Sequence, residues 1–446
     1  MGRASHSRAL AIWSNGMRVG TWHIPARGEM ELKYEPAWRT AGVGRPLSLS
    51  LPFDLNDRPL KGPAVGNYFD NLLPDSAEIR KRLGARYAGG ATDPFGLLAA
   101  IGRDCVGAVQ LLPDDQAPEG FDRIEGTPMS DEDIARHLRT TVTMPARGLE
   151  SEEKDFRISL AGAQEKTALL KHDGKWMRPH GATPTTHIFK LPIGLVGHMK
   201  ADFTTSVQNE WLTMEVMRAY GLDVAGCEML DFDGQPVLCV ERFDRQIHTS
   251  GKWWMRLPQE DFCQATGRPP AAKYQADGGP SVLELTRLLQ GSENAHADIE
   301  AVLTCELLFW MLAATDGHAK NFSIRLLAGG RFRLTPLYDI MSVWPIEGDG
   351  PNQLSWYNAR LAMAVMAKKP LYRLREIERR HFNAMAARSG YGKDAEPIIQ
   401  KVLEATPRVI QQVRDRVPQG FPERVAKRIF EGLQVAAQRL GAMPPT

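Results

Sequence analysis

The chain has little cysteine, almost no net charge and no long apolar run, and each of these absences excludes a class of protein. Its five cysteines are scattered through 446 residues and are never closer than 12 positions, so neither a disulfide framework nor a cysteine-based zinc site is expected. The formal net charge of +2 is too small to indicate nucleic-acid binding by itself. This composition favours a protein of a reducing compartment.

The most apolar segment, residues 303–314, contains Glu306 and is shorter than the roughly 20 residues that cross a bilayer, so we expect a core helix and no membrane association. The basic residues near the start are followed by an apolar run too short for a signal peptide, and we expect a cytoplasmic protein. The motifs H-E-x-x-H and G-x-S-x-G do not occur, which argues against a zinc enzyme and an α/β-hydrolase.

Length and pattern together predict an α+β protein of three parts. Residues 1–150 mix strands with helices and open with a hairpin whose turn is Asn15-Gly16. Residues 151–245 favour short strands and tight turns, whereas residues 246–446 are mainly helical. A small β-rich lobe followed by a larger helical lobe is the order that kinases use, with nucleotide between the lobes. We therefore expect a protein-kinase-like, two-lobed core preceded by a mixed α/β N-terminal domain.

An aspartate followed five residues later by an asparagine, Asp316 and Asn321, is what phosphoryl transfer from ATP needs in a catalytic loop. The carboxylate can accept the proton of an attacking hydroxyl, and the amide oxygen can help to hold magnesium. A helix predicted over residues 299–315 leads into this loop, and a hairpin predicted over residues 322–334 leads on to Asp339, a second carboxylate that can ligate the metal. The alternative is that Asp316 only caps a turn, as most such residues do.

Two further features fit an ATP site, and each has a structural alternative. Small side chains within residues 161–166 allow backbone amides to approach phosphates, although an ordinary hairpin turn has the same pattern. Lys190 stands on a strand face with apolar neighbours, so its ammonium group needs a partner, either a phosphate or Glu210 on a helix predicted over residues 206–220. The alternatives are a lysine that reaches solvent along the sheet edge and a solvated glutamate.

One segment, residues 368–380, is locally basic and interleaves lysines and arginines with Leu371, Leu374 and Ile377. This pattern predicts a solvated amphipathic helix, and contact with a nucleic-acid backbone is the alternative. Because the net charge of the chain is small, any basic surface must be local in this way.

Several longer motifs follow one another along the chain: residues 45–52 (RPLSLSLP), 69–76 (FDNLLPDS), 101–104 (IGRD), 156–166 (FRISLAGAQEK) and 315–321 (TDGHAKN). With these motifs the chain resembles the HipA family of toxin kinases over nearly its whole length. The resemblance implies a bacterial serine/threonine protein kinase that uses ATP and Mg²⁺ and acts as the toxin of a type II toxin–antitoxin pair.

The resemblance also implies roles for individual residues. Asp316 is the expected catalytic base, and Asn321 and Asp339 are the expected magnesium ligands. Ser159 is the expected site of autophosphorylation, which would inactivate the kinase by adding about two negative charges beside the phosphate loop. The residues expected to contact ATP are Ala161, Gly162, Ala163, Gln164, Glu165, Lys166, Lys190, Glu241, Arg242, Phe243, His318, Ala319, Lys320, Asn321, Tyr338 and Asp339.

Three partners follow from the resemblance: a HipB-like antitoxin dimer, operator DNA reached through the antitoxin complex, and a protein substrate. The implied substrate is an aminoacyl-tRNA synthetase, and we expect glutamyl-tRNA synthetase, whose modification would inhibit translation and promote dormancy and persistence. The residues themselves leave two alternatives open. One is a small-molecule or lipid kinase that uses the same site, and the other is a co-repressor that docks an antitoxin without kinase activity.

Overall fold

The computed structural model of the chain describes residues 7–142, 159–196 and 200–445. The predicted domain boundary near residue 150, and residues 156–158 of the fourth motif, lie outside these ranges. Within the described residues, one hydrophobic core lies in the N-terminal unit, a second lies under another sheet, and a large third core lies among the C-terminal helices.

The N-terminal unit is an antiparallel sheet packed against helices, in the strand order β4-β3-β2-β1-β5. Its strands are β1 (Arg8–Ser14), β2 (Met17–Ile24), β3 (Glu31–Tyr34), β4 (Leu60–Lys61) and β5 (Gln110–Pro113), and its helices are α1 (Pro36–Thr40), α2 (Pro63–Asp70), α3 (Ala77–Tyr87) and α4 (Pro94–Ile101). The predicted hairpin is confirmed, because Asn15 and Gly16 connect β1 to β2 with the positive φ values of 49° and 80° that a tight hairpin turn requires. Trp22 of β2 stacks on Phe69 of α2 at 4.0 Å and joins the sheet to the helices.

A second antiparallel sheet follows, in the order β12-β13-β9-β7-β8-β6. Its strands are β6 (Gly126–Pro128), β7 (Lys166–His172), β8 (Lys175–Pro179), β9 (His187–Lys190), β12 (Cys227–Phe232) and β13 (Gln235–Glu241), and a separate small hairpin is formed by β10 (Gly194–Val196) and β11 (Ala201–Phe203). Ile134 and Leu138 of α5 (Asp131–Thr141) share a core with Phe189 of this sheet. The predicted helix over residues 206–220 is confirmed as α6 (Ser206–Ala219), which contacts β12 and β13. Both β6 and α5 precede residue 150 and yet pack with this second sheet.

The C-terminal region begins with short strands and ends with long helices. Its strands are β14 (Arg245–Ile247), β15 (Trp254–Arg256), β16 (Gln259–Asp261), β17 (Ser323–Leu326), β18 (Phe332–Leu334), β19 (Arg360–Met366) and β20 (Pro370–Arg373). Its helices are α7 (Phe262–Ala265), α8 (Val282–Leu289), α9 (Ala295–Met311), α10 (Arg379–Arg388), α11 (Glu396–Arg414) and α12 (Glu423–Ala442). None of the helices in the described ranges is long and apolar enough to cross a membrane. The mixture of sheets and helices confirms the expected α+β class.

The buried helix α9 leads into the loop that contains Asp316 and Asn321. This helix was predicted to continue to residue 315, but it ends earlier, and Ala313 just after it adopts a left-handed φ of 49°. Gly317 then passes so close to Phe309 that an added Cβ atom would lie 2.0 Å from the ring. The loop is therefore pressed against the helix that precedes it. The hairpin predicted after the loop is confirmed as β17 and β18.

The prediction of an amphipathic helix over residues 368–380 is wrong. The two lysines at the start of the segment are exposed in the turn between β19 and β20, and α10 begins only at Arg379. Leu371, Leu374 and Ile377 all reach the C-terminal core, but they do so from a strand, a short 3₁₀ turn and the residue after it. Apolar residues three positions apart fit this strand-and-turn path as well as they fit one face of a helix. The pairing of β20 with β19 favours the strand.

Candidate functional site

A cavity of about 530 Å³ lies between the second sheet and the C-terminal region. Residues of β9 and β13 form one wall, and the loop after α9 together with residues 338–343 forms another. The residues singled out from the sequence that line this cavity are Ala161, Gly162, Ala163, Gln164, Lys166, Lys190, Glu241, Arg242, Phe243, Asp316, His318, Lys320, Asn321, Tyr338 and Asp339. Ser159, Glu165 and Ala319 lie outside this lining.

Lys190 and Glu210 form a buried ion pair beside the cavity. Lys190 is the last residue of β9 and is 6% exposed, whereas Glu210 of α6 is 1% exposed. Lys190 Nζ donates to Glu210 Oε1 at 2.6 Å and to Asp339 Oδ1 at 2.7 Å. Burial acts to lower the pKa of Lys190, but Asp339 and Glu210 outweigh this effect and raise the pKa above its usual value. The lysine is held in its charged form at the cavity wall, and the alternative of a lysine that reaches solvent is wrong.

Asp339 joins this ion pair to the loop after α9. Its backbone φ of 62° is uncommon for a residue other than glycine. Asn321 Nδ2 donates to Asp339 Oδ2 at 3.1 Å, and Asn321 Oδ1 accepts from the backbone N–H of His318 at 3.0 Å. Burial acts to raise the pKa of Asp339, but Lys190 and Lys166 outweigh it and hold the pKa well below its usual range. Asp339 is therefore an ionised carboxylate at neutral pH.

The pair of Asp339 and Asn321 fits a hard divalent cation. Carboxylate and amide oxygens are ligands that Mg²⁺ accepts, and this ion commonly completes its octahedron with water and substrate phosphates. Ligation by Asn321 requires its amide to turn so that the oxygen, not the nitrogen, faces Asp339. Among the described residues there is no group of three His, Cys, Asp or Glu side chains that could hold a metal by themselves. Asp339 and Asn321 would leave the remaining ligand positions of such an ion to water and phosphate oxygens.

Asp316 presents a carboxylate to the open part of the cavity. It is exposed, and its Oδ1 accepts a hydrogen bond from Tyr274 Oη at 2.7 Å. Tyr274 also packs edge-on against the ring of His318, with the ring centroids 5.2 Å apart. A carboxylate placed in this way can take a proton from a hydroxyl that enters the cavity. The sequence indicated Asp316 but contained no signal for Tyr274, which lies 42 positions earlier in the chain.

His318 and Ala319 occupy different places in the same loop. The His318 ring lines the cavity, its Nδ1 has no hydrogen-bond partner within the described part of the chain, and burial lowers its pKa. Ala319 faces the core instead, and its backbone N–H donates to the carbonyl oxygen of Lys273 at 3.2 Å. Only His318 is therefore placed to contact a ligand directly.

Residues 161–166 form a turn that leads into β7. Lys166 Nζ closes this turn by donating to the carbonyl oxygen of Ala161 at 2.8 Å. Gly162 has a φ of 104°, a backbone conformation that residues with a side chain rarely adopt, so the position favours glycine. Burial lowers the pKa of Lys166 to about 8, although Asp339 and Glu210 act in the opposite direction. An anion bound at the turn would further favour the charged form of Lys166.

Residues 241–243 run along the edge of the cavity at the end of β13. The guanidinium group of Arg242 does not serve a ligand, because it is buried and hydrogen-bonded to Asp104 at 3.3 Å and to Asp244 at 2.8 Å. Phe243 remains partly exposed and lines the cavity. An aromatic base could therefore meet the backbone of this segment and the ring of Phe243, while Arg242 holds the segment in place.

Lys320 and Tyr338 line the cavity but are engaged by the protein itself. Lys320 Nζ donates to Asn71 Oδ1 at 2.9 Å and pairs with Asp75 at 3.4 Å and Asp261 at 3.5 Å. Tyr338 Oη donates to the carbonyl oxygen of Lys320 at 2.9 Å. The ammonium group of Lys320 thus links the N-terminal unit to the C-terminal region, which the sequence pattern did not reveal.

Ser159 is fully buried beneath the N-terminal unit. Its hydroxyl donates to the carbonyl oxygen of Leu72 at 2.8 Å, and its N–H donates to the carbonyl oxygen of Asp104 at 3.1 Å. ATP cannot reach the hydroxyl in this conformation. Any modification of Ser159 requires its segment to leave this position first.

The N-terminal unit contributes directly to the site. Asn71 lines the cavity, and the N–H of Asp75 donates to the carbonyl oxygen of Gly162 at 3.0 Å. Arg82 of α3 pairs with Glu165, so a second contact fixes the turn over residues 161–166. The motif that contains Asn71 and Asp75 contributed to the resemblance, but nothing in its local pattern placed it beside the loop after α9.

The fold and the cavity define a class of protein: an α+β chain in which an N-terminal unit packs against two lobes beside a cleft that contains charged side chains. The family model for the HipA N-terminal domain matches residues 10–112, and the model for the HipA-like C-terminal domain matches residues 158–410. The chain therefore belongs to the HipA family, as its motifs predicted.

Individual relatives agree with this assignment. The chain is 34% identical over 365 residues to the putative kinase Y4mE of Sinorhizobium fredii, which covers 80% of this chain and 83% of the relative. It is 27% identical over 351 residues to the serine/threonine-protein kinase toxin HipA of Shewanella oneidensis, covering 74% and 72% of the two chains. The fold is similar to the solved HipA of Shewanella oneidensis MR-1 in complex with HipB and operator DNA, with a TM-score of 0.76, 23% identity, and coverage of 96% of this chain and 97% of that one.

Proposed function

We propose that this chain is an ATP-dependent serine/threonine protein kinase and the toxin of a type II toxin–antitoxin pair. The observation that carries the proposal is the convergence of Asp316, Asn321, Asp339 and the Lys190–Glu210 pair on one cavity. Kinases need the same parts: a base for the hydroxyl, ligands for magnesium and a lysine held by a glutamate. The kinase names of the relatives support the same conclusion.

The proposed roles follow from the positions of the side chains. ATP would bind with its base along residues 241–243 and its phosphates toward residues 161–166 and Lys190. The hydroxyl oxygen of a serine or threonine attacks the γ-phosphorus, and its proton passes to Asp316. The bond from the γ-phosphorus to the bridging oxygen breaks, and its electron pair leaves with ADP. Mg²⁺ held by Asn321 and Asp339 would neutralise charge on the phosphates.

The proposal is tested by incubating the chain with labelled ATP, Mg²⁺ and a bacterial extract, and mapping new phosphosites by mass spectrometry. Asp316→Asn should reduce transfer by about 100-fold or more while ATP binding is retained, because a general base contributes about 10²–10⁴ in rate. The matched control is Asp115→Asn, which changes an exposed aspartate outside the cavity. If the wild-type chain binds ATP but labels no protein, the proposal is wrong. Label on a small molecule or lipid instead would assign a different kinase class.

Autophosphorylation of Ser159 is part of the proposal as a self-inactivating switch. Because the hydroxyl is buried against Leu72, a phosphate with about two negative charges cannot be accommodated there without displacing the segment that leads into residues 161–166. Wild-type activity should therefore decline during incubation with ATP, whereas Ser159→Ala should keep its initial rate. A decline of equal size in Ser159→Ala would contradict the switch, and phosphopeptide mapping would show which residue is responsible.

We propose a HipB-like antitoxin dimer as partner, with operator DNA contacted through the complex, because the structurally similar Shewanella protein is solved with HipB and operator DNA. Co-expression with the antitoxin should give a complex that shifts operator DNA in a gel, and the chain alone should not. For the protein substrate we propose an aminoacyl-tRNA synthetase, with glutamyl-tRNA synthetase tested first. Its phosphorylation should stop tRNA charging in vitro, and unchanged charging after full incubation would exclude this substrate.

A further inference from the structure

Lys273 is a cationic side chain of the cavity to which the proposed function assigns no role. It lies between α7 and α8, and its side chain is 13% exposed. The carbonyl oxygen of Lys273 accepts the N–H of Ala319, and the next residue, Tyr274, donates to Asp316. Both contacts attach this segment to the loop after α9. The ammonium group itself lies 5.3 Å from the centroid of the Tyr274 ring, whose hydroxyl is bonded to Asp316.

The other lysines that line the cavity in the described chain are committed elsewhere. Lys190 is held by two carboxylates, and Lys320 is directed to Asn71 and the N-terminal unit. Lys166 donates to the carbonyl oxygen of Ala161 in the turn over residues 161–166, where we expect the ATP phosphates. Of these four lysines, Lys273 belongs to the segment that contacts Asp316, through the adjacent Tyr274.

Lys273 is held in place by a carboxylate from the N-terminal unit. Its Nζ donates to Asp75 Oδ2 at 2.9 Å. Asp75 is 12% exposed, its backbone N–H is bonded to Gly162, and its second oxygen lies 3.4 Å from Lys320 Nζ. Asp75 thus touches three parts of the cleft: the turn over residues 161–166, the loop after α9 and Lys273. A carboxylate with two cationic neighbours can release one of them to an anion more readily than a carboxylate with only one.

We propose that Lys273 is a catalytic residue that contacts the transferring phosphoryl group, and that Asp75 is the residue that positions it. This inference rests on the proposed kinase function. Negative charge spreads over the equatorial oxygens of the γ-phosphoryl group as the bond to the bridging oxygen breaks and the bond to the serine oxygen forms. A fixed cation beside that group stabilises this charge without reorganisation, whereas Asp316 takes the proton of the hydroxyl.

The proposal also assigns a function to the N-terminal unit. The N-terminal unit supplies Asp75, the carboxylate that would position Lys273. The segment that carries Asp75 also contacts the turn over residues 161–166 and the loop after α9. In this chain the N-terminal unit would therefore complete the catalytic site of the cleft.

The experiment compares Lys273→Met, Lys273→Arg and Asp75→Asn with the exposed-lysine control Lys369→Met. Lys273→Met should lower kcat for labelled-phosphate transfer by about 100-fold or more, with the KM for ATP changed less than about threefold, because the lost contact exists mainly in the transition state. Lys273→Arg should recover activity to within about tenfold of the wild type. Asp75→Asn should lower kcat by about tenfold, and the control should change nothing.

A second measurement separates a catalytic role from a structural one. Binding of ADP should be the same in the wild type and in Lys273→Met, whereas binding of ADP with aluminium fluoride, which mimics the transferring group, should weaken about 100-fold only in Lys273→Met. If Lys273→Met lost the same factor of affinity for both ligands, Lys273 would have a structural role and the inference would be overturned. Full transfer activity in Lys273→Met would overturn it as well. If the wild type itself transfers no phosphate, the proposed function has failed, and the fluoride comparison still decides whether Lys273 recognises a phosphoryl group.

Discussion

Removing the charge of Asp104 is expected to destabilise the folded chain. Asp104 comes from the end of the N-terminal unit and is 5% exposed. Its carboxylate oxygens form salt bridges with guanidinium nitrogens of three residues, at 3.3 Å for Arg242, 2.9 Å for Arg245 and 3.2 Å for Arg256. It also accepts the N–H and hydroxyl of Thr185 at 3.1 and 2.7 Å. One carboxylate thus contacts three buried guanidinium groups, two of which also pair with Asp244.

The magnitude follows from what Asp104→Asn leaves behind. Arg242 and Arg245 keep Asp244 as a partner, but no other carboxylate pairs with Arg256 in the described structure. Breaking a buried ion pair by removing one partner costs about 3–5 kcal/mol. Since whole domains are stable by only about 5–15 kcal/mol, the variant should unfold at a clearly lower urea concentration.

The dependence on pH gives a second, independent measure. Burial acts to raise the pKa of Asp104, but Arg245, Arg242 and Arg256 outweigh it and hold the pKa well below its usual value. A carboxylate whose pKa is depressed in the folded state stabilises that state at every pH above the unfolded pKa, and this stabilisation is lost as the pH falls toward the folded pKa. The difference between wild type and Asp104→Asn should therefore stay constant from pH 7 to about pH 4 and shrink below it.

Urea unfolding followed by tryptophan fluorescence measures both effects, with exposed Asp115→Asn as the control that should change the unfolding free energy by less than about 0.5 kcal/mol. A loss below about 1 kcal/mol in Asp104→Asn, or one that does not shrink in acid, would refute the reasoning. Because Arg242 lies within the segment along the cavity edge, the same variant should also bind ATP more weakly.

Three other outcomes are expected. Because burial lowers the pKa of Lys166 to about 8, and a bound phosphate would raise it, ATP affinity measured by calorimetry should fall about tenfold from pH 7 to pH 9, and Lys166→Arg should abolish this dependence. Tyr274→Phe removes a hydrogen bond to a carboxylate worth about 1.5 kcal/mol, so kcat should fall about tenfold at unchanged ATP affinity, and an unchanged kcat would count against the contact. Gly317→Ala forces a Cβ atom against the Phe309 ring and should cost about 1–3 kcal/mol in thermal unfolding, whereas Gly392→Ala, which meets no neighbour, should not.

Local chemistry was sufficient to predict several elements of the fold. The Asn15-Gly16 turn, the helix after residue 205 and the hairpin after the loop depend on turn residues and on periods of two or 3.6 residues, which are properties of adjacent positions. The segment over residues 368–380 was predicted wrongly because its apolar spacing fits a strand and turn as well as a helix, and only pairing with β19 favours the strand.

By itself, the sequence indicated the family through its resemblance motifs, and it indicated many strands and helices and the residue types of a phosphoryl-transfer site through short-range order. The tertiary structure alone decided which charged groups meet. Lys190 lies 149 positions from Asp339, and Lys273 lies 198 positions from Asp75, yet each pair is in hydrogen-bond contact. Such pairs form because burial excludes water and leaves a charged side chain no partner except another part of the chain, and no local pattern records which part that is.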